Sequence, residues 1–181
     1  MFFMFSYMID DQIQLAIPRP QSDGPALFAL LDADRATIGR FLPWVAEIQT
    51  VTDEQDSLVT FNEHFGHNES LNTVIWVDYQ PAGMISFNHF YNNASADIGY
   101  WLGAPFRGQG IMHRAVLGFS QLGFAEAGLN KVIIRAATDN VESNAVAKRA
   151  GFHLDGTHRD GERLADGFHD ENEWSLLTSD I

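Results

Sequence analysis

The chain has 181 residues, 45% of them hydrophobic, with 24 acidic against 11 basic side chains and a formal net charge of -13. That length suits one well-buried core and is short for two ordinary domains, so residues 1–181 read as a single domain. The acidic balance argues against phosphate-driven binding to nucleic acid or an anionic membrane and suits a cationic or amine-bearing partner. The absence of cysteine excludes disulfides, thiolate metal sites and a cysteine acyl-enzyme.

Met1 to Ile9 is apolar but lacks a basic region and gives way at once to Asp10 and Asp11, unlike a signal peptide or a spanning helix. The expectation is a cytoplasmic protein. With Met4 and Met8 so close together, residues 1–8 read either as a disordered or over-called start or as a buried edge strand. Gln12 to Ile17 alternates and ends at Pro18, which predicts a first strand; Gly24 to Thr37, rich in Ala and Leu at helical spacing, predicts a helix. The apolar knot Phe41-Leu42-Pro43-Trp44-Val45 precedes a helix over Asp53 to His67 whose Leu58, Phe61 and Phe65 share a face. Leu71 to Val77 and Ala82 to Phe90 flank the turn Asp78-Tyr79-Gln80-Pro81 and predict an antiparallel hairpin, followed by a strand over Ala96 to Leu102.

After Pro105 comes a glycine turn, and Met112 to Ala127 then carries Met112, Val116, Phe119 and Gly123 on one helical stripe that stops at Gly128. Lys131 to Ala137 is β-branched and alternating, Val141 to Ala150 is a short helix closed by Gly151, and Phe152 to Gly156 and Phe168 to Leu177 read as the last strands. This order describes an α+β fold with a mostly antiparallel sheet.

The strand–glycine turn–helix unit carries the chemistry. The first amides of a helix have no intrahelical partners and sit at the positive end of its dipole, which makes that end an anion site. Gly108 and Gly110 remove side chains where a diphosphate would touch main chain, and Arg107 adds a charge; the alternative is an ordinary strand–helix turn that uses two glycines. A dinucleotide fingerprint fails at His113, and a triphosphate loop fails because Ile111-Met112 follows where Lys-Ser/Thr is needed. The acyl-CoA signature Arg/Gln-x-x-Gly-x-Gly/Ala fits through Arg107 and Gly110 and departs from its pattern at Met112.

From Asp97 to Leu177 the chain resembles the GNAT superfamily, and within it the RimJ/RimL-like ribosomal-protein N-terminal acetyltransferases. The resemblance rests on Ile98-Gly99-Tyr100-Trp101-Leu102, Arg107-Gly108-Gln109-Gly110-Ile111-Met112, Asp139-Asn140-Val141-Glu142-Ser143-Asn144-Ala145, Gly151-Phe152, Glu162 and His169-Asp170, in that order. Gln109 replaces a lysine frequent in that subgroup. The resemblance implies a mixed, mostly antiparallel sheet flanked by helices and splayed between its fourth and fifth strands, Ala96 to Leu102 and Lys131 to Ala137. The pantetheine arm of acetyl-CoA would lie in that gap.

The same resemblance gives roles to particular residues. Trp101, Leu102, Arg107, Gly108, Gln109, Gly110, Ile111 and Met112 are expected at the cosubstrate, with a backbone amide near Trp101 or Leu102 as donor to the tetrahedral oxyanion. Asn140 and Asn144 are placed for the pantetheine amides and Lys148 for a phosphate. Ser143 inherits the role of general acid toward the leaving thiolate, since Ala150 and Phe152 offer no hydroxyl where many GNAT enzymes have a tyrosine. From the residues alone, Asn140 is equally a helix cap and Ser143 a solvated first-turn hydroxyl. Glu162 aligns with the proposed base of the RimL-like pattern, with His158, His169 and Asp170 as alternatives and a solvated loop charge as the plain reading of each.

An α-amine with a pKa of about 8 is easier to deprotonate at neutral pH than a lysine amine at about 10.4, by roughly 3 kcal/mol. The expected acceptor is therefore a protein N-terminus, against a polyamine, an aminoglycoside or a non-catalytic acyl-CoA sensor, with no metal and with a homo-oligomer permitted. Trp44 and Asn88 are the candidate acceptor-lining residues, Trp44 also reading as plain core.

Overall fold

The computed structural model describes residues 5–181. One eight-stranded sheet runs in the order β1-β2-β3-β4-β5-β6-β8-β7. Its strands are β1 (Ser6–Met8), β2 (Ile13–Ala16), β3 (Leu71–Val77), β4 (Gln80–Tyr91), β5 (Ser95–Leu102), β6 (Lys131–Ala137), β7 (His153–Leu164) and β8 (Gly167–Leu177). The helices are α1 (Pro20–Ala33), α2 (Arg35–Phe41), α3 (Val51–Gly66), α4 (Ile111–Glu126) and α5 (Val141–Arg149), with a 3-10 turn at Pro43–Ala46.

All neighbouring pairs are antiparallel except β5 with β6. The β3–β4 hairpin turns on Asp78 and Tyr79, both at positive φ (47° and 64°), the mirror-image turn that matches strand twist. Strand alternation then sorts the side chains onto two faces. Ile75, Ile85, Phe87, Ile98 and Leu102 pack under α4 and α5, where Phe87 and Phe119 stack with centroids 4.2 Å apart. Val74, Trp76, Met84 and Trp101 pack under α1 to α3 against Leu27, Leu31, Ile38 and Leu58. Fully burying one such large apolar side chain contributes about 1.5–3 kcal/mol, so the two clusters fix which helices lie on which face.

Three expectations need correction. The helix expected over Gly24 to Thr37 is two helices: Pro20 occupies the tolerated first-turn position, the Asp23 carboxylate accepts from Arg19 N at 2.8 Å, and Asp34 breaks the run at φ −138°, ψ 30°. The strand expected to stop at Gly156 continues to Leu164 with two register irregularities, so Glu162 lies within β7 rather than after it. The edge strand β7 is polar on both faces, which leaves no period-2 apolar pattern to read. Ser6–Met8 is an exposed edge strand, not a buried one, and the part of the expected disordered or over-called start at Met1 to Met4 lies outside the described residues.

The wedge implied between the fourth and fifth expected strands is present between β5 and β6. They pair only at Ser95–Asp97 with Lys131–Ile133, so β5 from Ile98 and β6 from Ile134 run apart toward their C-terminal ends.

Candidate active site

The mouth of the wedge is framed by the β5–α4 connection on one side and the β6–α5 connection on the other. On the first side, Gly108 and Gly110 adopt φ +74° and +70°, and Gly110 serves as the N-cap of α4 without any side-chain cap. A Cβ built at either glycine would meet nothing within 4 Å, so the turn is open to a ligand and glycine is required by φ, not by crowding from the protein. The first helical bond runs from Arg114 N to Gly110 O at 3.2 Å, leaving the amides of Ile111, Met112 and His113 ahead of it for an anion. Ile111 and Met112 themselves are buried, so what they present there is main chain.

The other cosubstrate candidates fall into different environments. The Arg107 guanidinium pairs with Asp34 at 2.6 Å and donates to Leu102 O at 2.9 Å, which ties the turn to the α1–α2 joint. Gln109 is exposed and its amide donates to Pro105 O at 2.8 Å. Trp101 and Leu102 are buried in opposite clusters, so only their backbone borders the wedge. The Asn140 side chain caps α5 by accepting from Ser143 N at 3.1 Å. Asn144 donates to Ala137 O and Asn140 O and accepts from Asn172 and Trp174, so its amide braces α5 against β6 and β8. Lys148 is exposed on α5.

Ser143 and Glu162 are each anchored near the C-terminal end of β6. Ser143 stands in the first turn of α5, with its Oγ 2.9 Å from the hydroxyl of Tyr100, which reaches over from β5. The Glu162 carboxylate accepts from the Ala137 amide at the last residue of β6. Burial pushes its pKa up, and the neighbouring negative charges of Glu171 and Asp139 add to this against the opposing Ala137 hydrogen bond and His169. A carboxylate raised toward neutrality is a better proton acceptor than an ordinary one.

The rival bases are engaged elsewhere. His169 sits between Asp166 (2.9 Å) and Asp139 (3.2 Å), contacts that raise its pKa and favour the protonated ring. Asp170 accepts from Asp160 N at 3.0 Å, and His158 faces Glu173 at 3.7 Å. Sequence reasoning passed over Tyr100, whose position in the β5 alternation looked like simple packing. It also passed over the chain Arg40–Asp139–His169, in which Arg40 at the end of α2 meets Asp139 at 3.1 Å. With Asp34 holding Arg107 at its start, α2 is tied to both sides of the wedge.

Asn88 lies at a β4 irregularity, held by Ser86 (2.7 Å) and Asp97 (2.9 Å), and Trp44 is 38% exposed on the 3-10 turn. Among the described residues no three His, Asp or Glu side chains gather as a metal site, and no helix is long and apolar enough to cross a membrane.

Residues 14–153 match the acetyltransferase (GNAT) domain family. The ribosomal-protein-serine acetyltransferase of Escherichia coli (strain K12) is 30% identical over 153 residues, covering 83% of this chain and 85% of that protein. The structure of the ribosomal L7/L12 α-N-protein acetyltransferase RimL in complex with coenzyme A superposes with a TM-score of 0.91 at 25% identity, over 97% of this chain and 99% of that one. The microcin C7 self-immunity acetyltransferase MccE, solved with acetyl-CoA and AMP, gives 0.88 at 29% identity over 93% and 94%.

Proposed function

Because this chain belongs to the GNAT acetyltransferase family, in its RimJ/RimL-like branch, we propose that it transfers acetyl from acetyl-CoA to the α-amino group of a protein N-terminus, by direct attack in a ternary complex. The observation that carries the reading is the open wedge between β5 and β6, with an uncapped helix start on one side and Ser143 and Glu162 on the other.

The diphosphate of acetyl-CoA binds the free amides of Ile111, Met112 and His113, where two glycines let it approach main chain. The pantetheine arm runs along the unpaired edge of β5. The acceptor amine attacks the thioester carbonyl and gives its proton to Glu162, while a backbone amide near Trp101 or Leu102 holds the oxyanion. As the C–S bond breaks, its electron pair goes to sulfur and the proton moves from Ser143 Oγ to sulfur, with a solvent proton replacing it on Oγ in the same step.

Two considerations support an N-terminal amine. It ionises about 2 pKa units below lysine, within reach of a modest carboxylate base, and the E. coli relative is named for a ribosomal-protein serine. A ribosomal acceptor of this kind would be met in the cytoplasm. A small amine is the second reading, favoured by the acidic chain.

The test offers purified protein acetyl-CoA with a panel of N-terminal peptides, polyamines and aminoglycosides, and records thiol release. Turnover on peptides alone supports the proposal, turnover on small amines alone selects the second reading, and tight acetyl-CoA binding without turnover points to a sensor. Glu162→Gln and Ser143→Ala should each lower kcat by about 10²–10⁴-fold if they act as base and acid, with acetyl-CoA affinity retained.

A further inference from the structure

Tyr100 enters none of the steps above, yet its hydroxyl is the closest side-chain partner of Ser143. It lies on the part of β5 that has parted from β6, beyond Asp97. Its ring packs against the cluster under α4 and α5, and its hydroxyl meets Ser143 Oγ at 2.9 Å and, more weakly, Ser143 O at 3.4 Å.

We propose that Tyr100 is a positioning residue for Ser143: its O–H donates to Ser143 Oγ and so directs the serine proton toward the leaving sulfur. A hydroxyl has one hydrogen and two lone pairs. A lone serine hydroxyl swings freely and bonds whichever acceptor is nearest, including its own helix. Once Tyr100 occupies one lone pair, the serine hydrogen must point away from the tyrosine. The same hydrogen bond stabilises the partial negative charge that develops on Oγ as its proton shifts toward sulfur. Burial, which pushes its pKa up to about 12, keeps the Tyr100 phenol protonated before the transfer, so that it can donate at every working pH. No atom passes to or from Tyr100, so the step balances as written for Ser143 alone.

The tyrosine expected one helix-length further on in many GNAT enzymes has no counterpart here, since Ala150 and Phe152 stand there. In this chain the phenol comes instead from the opposite wall of the wedge and acts through the serine.

This inference rests on the acyl-transfer reading and on Ser143 as acid, and a double-mutant cycle separates their failures. Tyr100→Phe, Ser143→Ala and the double variant are compared by kcat and by KM for acetyl-CoA, with thermal unfolding as a fold check. Tyr100→Phe keeps the ring and its packing, and should lower kcat roughly ten- to hundredfold, the effect of losing a hydrogen bond to a charged oxygen, with KM unchanged. In the Ser143→Ala background the same change should have no further effect. Equal losses in both backgrounds would overturn the proposal, because a merely structural phenol acts whether or not Ser143 is present. Full activity of Tyr100→Phe beside an impaired Ser143→Ala would overturn it while leaving the acid assignment intact. Full activity of Ser143→Ala would overturn both.

Discussion

Glu54 offers a quantitative test of how α3 is packed. It lies in the first turn of α3, one turn before Leu58, and is only 3% exposed. Desolvation alone pushes its carboxyl from the ordinary 4.5 up to about 7. That difference of about 2.5 units corresponds to about 3 kcal/mol at about 1.4 kcal/mol per unit. The folded pKa lies above the unfolded one, so between about 4.5 and 7 the folded chain holds a proton that the unfolded chain has released. Stability against unfolding therefore falls as pH rises through that window and levels off above it. Glu54→Gln has no such proton. Urea unfolding followed by tryptophan fluorescence at pH 4, 5, 6, 7 and 8 should show the variant gaining on the wild type by about 3 kcal/mol from the lowest pH to the highest. Parallel stability profiles for the two proteins would refute the assignment of a buried, unpaired carboxylate.

Two further perturbations probe the site itself. Gly83→Ala would drive a methyl group into the Trp101 carbonyl oxygen and to 2.9 Å from Leu102 Cα, and backbone cannot step aside. It should cost about 1–3 kcal/mol by overpacking and shift the β5 backbone at Trp101 and Leu102, read as a lower Tm and, if an amide there holds the oxyanion as proposed, a lower kcat; a wild-type Tm would reject the close approach of β4 to β5. Glu171→Gln removes a negative charge that, after burial, raises the pKa of Glu162. The acidic limb of the kcat/KM profile should move to lower pH, and a limb that stays put would argue that Glu162 is not the titrating base.

What the sequence made legible is local. The Asp78-Tyr79 hairpin, the Gly108–Gly110 turn into α4 and the Asn140 cap of α5 each depend on a few consecutive residues whose conformational preferences are strong. Asp34 shows where this fails. Ala and Leu at helical spacing continue smoothly past it, but the chain turns there so that Asp34 can receive Arg107 from a turn 73 positions away. The charge of Arg107 is legible in the sequence, whereas its partner Asp34 is not. The extension of β7 to Leu164 is supplied by hydrogen bonds to β8, which compensate for a polar segment without strand periodicity. Asn144 and Tyr100 are bound to residues 28 to 43 positions away, pairings that no spacing rule encodes.

In the proposed reaction the uncapped N-terminal amides of α4 grip a diphosphate. Calorimetric titration with acetyl-CoA and with S-acetylpantetheine, which carries the same thioester arm without the diphosphate, tests this grip most directly. Acetyl-CoA should bind saturably and the pantetheine at least tenfold more weakly, whereas equal affinities, or no heat with acetyl-CoA, would rule out the diphosphate grip.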